Sequence, residues 1–364
     1  MTAKEICAAQ ILLYYLFDVA ETIDLRAIPG LVGGPAVAAR LAHKPVTPPY
    51  VQYDKPPLSF GGAAVGVGDL DGFSVRVRVF DYGVISLALS RPFEGSWSEL
   101  VALSQTLIES AEIEQRAEQA CRAIVDRLRP ALHGPHDTFL SEDYVVYAIN
   151  ELDRPMSAEE LLMVRGEDIA IMLRGERQPL SEQEKDSVLR HRISYLVDDL
   201  VIPAAIVYDT PAGAQAAFEI LEFANSQLLE FRYYDQLLDD QLSSIYARLQ
   251  HPRWFESWLG WRHTRAARQV HALFIDVNEL TDRTENTLKF IGDIYAARLF
   301  TLVADRLGLE RWKANVGENL KTLDDIYRFA VEQSSMARGE FLEITVVLIL
   351  VLELVLLMTG AMRQ

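Results

Sequence analysis

Residues 341–362 read FLEITVVLILVLELVLLMTGAM, an apolar run broken by only two charges, Glu343 and Glu353. As a helix rising 1.5 Å per residue it would be about 33 Å long, against a hydrocarbon core of about 30 Å. A run of this kind is not left to water: it either crosses a bilayer or forms the buried centre of an assembly. The residues before it carry most of the 52 Asp and Glu and 35 Lys and Arg, and read as a folded, acidic body. The chain is therefore expected to be a cytoplasmic body on a single-pass C-terminal transmembrane helix, with a protein assembly core as the alternative for residues 341–362.

Charge and cysteines narrow the classes further. A formal charge of −17 repels polyanions, so no direct nucleic-acid binding is expected. Cys7 and Cys121 have neither metal nor redox spacing and read as two buried thiols of a reducing compartment. Residues 6–17 are apolar, but Lys4 is offset by Glu5, and Asp18, Glu21 and Asp24 follow without a small-residue cleavage site. That composition reads as a buried strand and not as a signal peptide.

Proline divides the body. Thirteen of the fifteen prolines lie at or before Pro203, and none follows Pro252. Turns and short elements thus belong to the first half and long helices to the second. Residues 1–208 are expected to form a mixed α+β domain. Residues 11–17 read as a strand followed by a short helical stretch near 21–28, then a Pro-rich connection from Pro35 to Pro57. Residues 74–79 alternate Ser-Val-Arg-Val-Arg-Val, strand periodicity with one polar face, and 84–89 form a second strand across a turn at 80–83. Ser96 with Glu99 has capping-box spacing and opens a helix, with a second running to Leu128. Residues 144–149 and 200–207 read as strands, the latter broken by Pro203, with a short helix opened at Ser181 between them.

Residues 209–340 are expected to be long helices. Leu221, Ala224, Leu228, Phe231, Leu238, Leu242, Ile245 and Leu249 recur near 3.5-residue spacing, and Val270, Leu273, Val277, Leu280 and Leu288 mark a second stripe. An elbow at 251–261 carries Trp254, Trp258 and Trp261, and a third helix begins near Val316. A coiled-coil hairpin leading to the tail and a globular helical bundle both fit these stripes.

Chemical motifs are sparse. Gly61, Gly62, Gly66 and Gly68 lack the dinucleotide fingerprint, because position 71 is Asp and the stretch precedes a strand. His133 and His136 sit on a Gly/Pro segment expected to be a surface turn, short of the three or four convergent ligands a metal needs. Asp235, Asp239 and Asp240 read as a solvated helix face beside Arg232. No catalytic residue, cofactor site or metal site is assigned. The carboxylates of the tail weigh more, since a charge at mid-bilayer costs about 2.5–3.5 kcal/mol. Helix association through shared carboxyl hydrogen bonds and a proton relay are the two readings for Glu343 and Glu353.

Three segments carry a family resemblance: Phe80-Asp81-Tyr82-Gly83-Val84, the stretch from Ile220 to Asp235, and the closing Leu342-Glu343-Ile344 with Leu348-Ile349 and Glu353. Together they resemble the "required for meiotic nuclear division" family in its bacterial form. The resemblance implies an α/β N-terminal part, a helical C-terminal part and membrane attachment. It further implies a tether or scaffold, as for mitochondrial members that support organellar translation, and supplies no catalytic residues.

The expected function is a membrane-anchored, self-associating scaffold without catalytic activity, presenting its α+β domain to a protein partner. Homo-oligomerisation is assigned to Glu343 and Glu353 in the tail and to Phe223, Leu228, Phe231, Leu273 and Val277 along the helices. The rival expectation is a tethered ligand-binding or catalytic domain, whose surface would join the 61–72 loop, Tyr82 and the His133–His136 segment.

Overall fold

The computed structural model describes residues 4–33, 37–38, 56–108, 110–175, 180–190, 200–202, 206–250, 275, 277, 294–326, 328 and 346–351. It is a mixed α+β structure, as the sequence leads one to expect. The first of two units comprises residues 1–233 and 283–312, and the second residues 234–282 and 313–364.

The first unit is built on one eight-stranded sheet in the order β2-β3-β4-β5-β1-β6-β8-β7. The strands are β1 (Ile6–Ile23), β2 (Val37–Ala38), β3 (Leu58–Gly61), β4 (Ser74–Val79), β5 (Val84–Gly95), β6 (Leu132–Leu152), β7 (Leu200–Ile202) and β8 (Ile206–Tyr208). All pairings are antiparallel except β6 with β8. The central strand β1 runs to Ile23, so the helix expected near 21–28 shrinks to a 3-10 turn at Ile28–Gly30. The strand expected over 200–207 is a hairpin of two.

Period-2 alternation makes the sheet two-faced. Ile11, Leu13, Tyr15 and Phe17 of β1, Val75, Val77 and Val79 of β4 and Ile85, Leu87 and Leu89 of β5 join one apolar core. Helices α1 (Trp97–Ile108), α2 (Ala111–Leu128) and α3 (Ala158–Arg174) cover it, through Trp97, Leu100, Ile113, Ala117, Ile124, Leu161 and Ile169. Helix α1 starts at the expected capping box, with Ser96 Oγ accepting from the Glu99 amide and Glu99 accepting from the Ser96 amide. A second such box, Ser157 with Glu160, opens α3. Helix α4 (Glu182–Leu189) follows, capped by Ser181. Cys121 is fully buried in this layer, whereas Cys7 is partly exposed.

The other sheet face mixes buried apolar residues (Leu12, Leu16, Val146, Ala148) with Tyr14, Asp18, Arg78 and Ser86 and packs on α5 (Pro211–Gln250), a single helix of 40 residues. Residues 217–231 of α5 are buried on every side. A helix in that position is normally apolar all round; this one carries Glu219, Glu222, Asn225, Ser226, Gln227 and Glu230. Phe223 packs on Phe300 of α6 (Ile294–Leu307), ring centroids 5.8 Å apart. Phe223, Leu228 and Phe231, expected at a seam between chains, are thus covered within one chain.

In the second unit, Leu238 and Leu242 of α5, Val277, and Val316, Leu320 and Leu323 of a helix over 309–326 (α7) are buried. The acidic face expected to be solvated has a partner: the Asn319 amide donates to Asp235 Oδ1 at 3.3 Å and to Asp239 Oδ1 at 3.0 Å. Partial burial, then the neighbouring Asp239 charge, pushes the Asp235 carboxyl up. Arg232 pairs elsewhere, with Glu142. The elbow at 251–261, Leu273, Glu343 and Glu353 lie outside the described residues. Of the expected span 341–362 only 346–351 are described, as helix. Among the described residues no helix is long and apolar enough to cross a membrane.

Candidate functional site

The polar residues of α5 meet polar residues on that sheet face, and buried Asp18, Arg78 and Glu222 lie along this seam. It begins at β4, whose alternation turns Val75, Val77 and Val79 toward α1–α3 and Arg76 and Arg78 toward α5. Glu222, fully buried, accepts from Arg78 Nη1 at 2.9 Å and lies 3.5 Å from Arg76 Nη2. Its other oxygen accepts from Ser86 Oγ of β5 at 2.7 Å. Arg78 is nearly as buried as its partner, while Arg76 keeps a third of its side chain in solvent. From β1, the Tyr14 hydroxyl donates to the Phe218 carbonyl of α5 at 3.3 Å. Burial drives the Tyr14 phenol far up, so it stays a neutral donor.

One turn further along α5, the β4–β5 turn arrives. Tyr82 Oη lies 2.7 Å from Ser226 Oγ, and the Ser226 hydroxyl also reaches the Phe223 carbonyl. Burial pushes the Tyr82 phenol well above its usual range, against the opposing Ser226 bond. The turn closes only because residue 83 is glycine. Its φ is +97°, and a Cβ there would sit 1.7 Å from the Ala20 carbonyl oxygen.

The third contact comes from the segment expected to be a surface turn. Residues 133–136 instead belong to β6. Between the pairs Asp18↔Leu140 and Ala20↔Pro135, β1 advances two residues and β6 five, so a bulge forms over 136–139; Gly134, at φ +59°, lies just beyond it in regular register. The bulge carries His136 back over the sheet. His136 Nε2 lies 3.3 Å from Asp18 Oδ1, and the ring tilts against Tyr233 of α5 at 4.8 Å. Burial pushes the Asp18 carboxyl up, with His136 opposing. Burial pulls the imidazole down, but Asp18 and then Glu21 outweigh it and leave it above its ordinary value.

Tyr82 and His136 therefore reach one face of α5, at Ser226 and two turns further on at Tyr233, while His133 is exposed. The 61–72 loop does not join them: Val65 and Val67 pack into the core on the α1–α3 side. Among the described residues no group of three or more His, Cys, Asp or Glu is placed to hold a metal. Asp18 and His136 form an acid–imidazole pair, but the hydroxyls named in the seam are engaged by other partners. The arrangement fixes the register of α5 on the sheet through Glu222, which meets β4 and β5, and Ser226, which meets the β4–β5 turn, while Glu219 and Asn225 bond within the helix, to Gln215 and to the Leu221 carbonyl. Sequence analysis missed this seam because Glu222, Ser226 and Tyr233 hide inside an apolar stripe. The clue was the Arg-x-Arg alternation of β4, which had to find an acid if buried.

Comparison with known proteins gives one family. The model described as "Uncharacterized protein MJ0711, N-terminal domain" matches residues 8–215, the sheet from the third residue of β1 onward and α1–α4 up to the first turn of α5. No match is found among curated proteins or solved structures. The sheet half of the seam lies inside the matched region and the helix half beyond it. With more than half of its residues matched, the chain belongs to the family of the uncharacterized protein MJ0711 N-terminal domain.

Proposed function

We propose that the protein is a membrane-anchored, self-associating scaffold that presents its α+β unit to a protein partner. The observation that supports this is the state of Val346–Val351. These six consecutive apolar residues are helical, and each leaves between 52% and 62% of its surface exposed. Six residues at 100° spacing go more than once around the helix, so no face is covered. Removing that surface from water is worth roughly 5–10 kcal/mol, taking about 1.5–3 kcal/mol per fully buried side chain. Lipid supplies the cover in this reading, and other copies meet the carboxyls of Glu343 and Glu353. The resemblance to the "required for meiotic nuclear division" family points the same way.

Two variants of the full chain test it. Leu348→Lys with Leu350→Lys places two charges in the apolar stretch and should move the protein from vesicle-bound to free in a flotation assay. Glu353→Leu should keep it on vesicles and reduce its oligomer size in detergent. Flotation unchanged by the two lysines would overturn anchoring, and oligomer size unchanged by Glu353→Leu would overturn carboxyl pairing.

A further inference from the structure

We propose that residues 136–142 of β6 form a pH-sensitive latch on α5, closed while His136 carries a proton and released when it does not. The latch lies within the first unit and is independent of the tail. It sits where α5 leaves that unit, whose boundary falls between Tyr233 and Tyr234. Two contacts from β6 meet α5 there: the His136 ring lies 4.8 Å from that of Tyr233, and Glu142 pairs with Arg232. The segment carrying both includes the register shift against β1, so its own hold on the sheet is interrupted over 136–139.

What His136 answers is a buried charge. Asp18 is 1% exposed, its Oδ1 lies 3.3 Å from His136 Nε2, and its Oδ2 has no hydrogen-bond partner among the described residues. Among those residues His136 is also the one charged group that acts on it. An imidazolium balances the carboxylate. A neutral ring still donates one hydrogen bond but leaves a desolvated negative charge, which is relieved when the segment lifts and water enters. The His136 side chain is 16% exposed, so its proton exchanges with solvent while the fold stays intact.

The other groups around the pair leave this role to His136. Glu21 of β1 adds negative charge at the imidazole, and Asp137, next in the chain, is exposed. From α5, Tyr233 brings a ring and Arg232 a charge that Glu142 already meets. Asp81 of the β4–β5 turn and Glu230 of α5 act on Tyr82, whose phenol burial keeps protonated. The closed latch holds the His136 proton more tightly than the open one, so opening is favoured as pH rises above 6.5.

The test is native-state hydrogen exchange of the full chain, read by mass spectrometry on peptides covering 136–142 and 226–233 and corrected for intrinsic rates. Exchange in both should quicken severalfold as pH rises above 6.5. It should also be indifferent to urea below the unfolding transition, the mark of a local opening, whereas residues 74–89 of the core exchange more slowly and respond to urea. His136→Asn should exchange at the fast level above 6.5 with no step there. Asp18→Asn should stay at the slow level, because no buried charge is left to answer. Glu142→Gln should quicken both segments and keep the step. A parent chain without the step, urea sensitivity equal to that of 74–89, a step that survives His136→Asn or Asp18→Asn, or one lost in Glu142→Gln would each overturn the proposal.

Discussion

Replacing Glu222 by leucine tests the polar seam most severely. The carboxylate is fully buried, and removing it takes the opposite charge from Arg78, whose side chain is 6% exposed and whose Nη1 lies 2.9 Å from the lost oxygen. Breaking a buried pair by removing one partner costs about 3–5 kcal/mol, because the remaining charge stays desolvated. Ser86 loses its acceptor as well. Arg76 matters less, since its side chain is 34% exposed and can turn to water. At about 2–4 °C per kcal/mol for a domain of this order of size, the melting temperature should fall by roughly 6–20 °C. Urea unfolding followed by far-ultraviolet circular dichroism gives the free energy. Adding Arg78→Met to Glu222→Met removes both charges and should restore stability to within about 1 kcal/mol of the parent. A single replacement costing under about 1 kcal/mol would refute the reasoning, as would a double replacement no better than the single one.

Three further outcomes follow from the same seam. The folded protein holds protons on Asp18 and His136 more tightly than the unfolded chain, whose reference values are 3.8 and 6.5. Folding stability must then fall as pH rises, for Asp18 from near its reference value up to its raised one, and for His136 from 6.5 up to its own. His136→Asn should abolish the upper window, seen as a urea midpoint that no longer drops as pH rises above 6.5, and should extend the Asp18 window upward because His136 no longer opposes its burial. Tyr82→Phe loses the 2.7 Å bond to Ser226, while the Ser226 hydroxyl keeps its Phe223 carbonyl; a cost of about 1 kcal/mol is expected in the same unfolding assay. Gly83→Ala drives a methyl into the Ala20 carbonyl at a positive φ, and should cost more than about 3 kcal/mol or leave the chain insoluble on expression.

Local chemistry was legible in the sequence where the partners are near in the chain. The alternation of 74–79, the turn at 80–83 and the capping box at Ser96 each rest on contacts within a few residues, and each appears where its pattern places it. The box Ser157–Glu160 carried the same signal and opens a helix that the periodicity of 158–174 left unmarked. What stayed hidden is long-range. Glu222 meets Ser86 across 136 residues and Arg232 meets Glu142 across 90, separations that no periodic pattern encodes. The heptad-like stripe of α5 was real as a buried stripe, but it did not say that the sheet covers one side and α6 another. The HGPH segment read as a turn for sound reasons. Gly134 does take a positive φ, yet it stays in β6, and the register shift that follows it over 136–139 holds the segment that carries His136, 3.3 Å from Asp18.

The scaffold reading stands or falls on where the tail goes. The decisive measurement is the mass and partition of the full-length chain, compared with a chain lacking residues 341–364, in membrane and soluble fractions. The account predicts that only the full-length chain sediments with membrane, and that detergent releases it as a discrete oligomer. A full-length chain that stays out of the membrane fraction, whatever its mass, would contradict it.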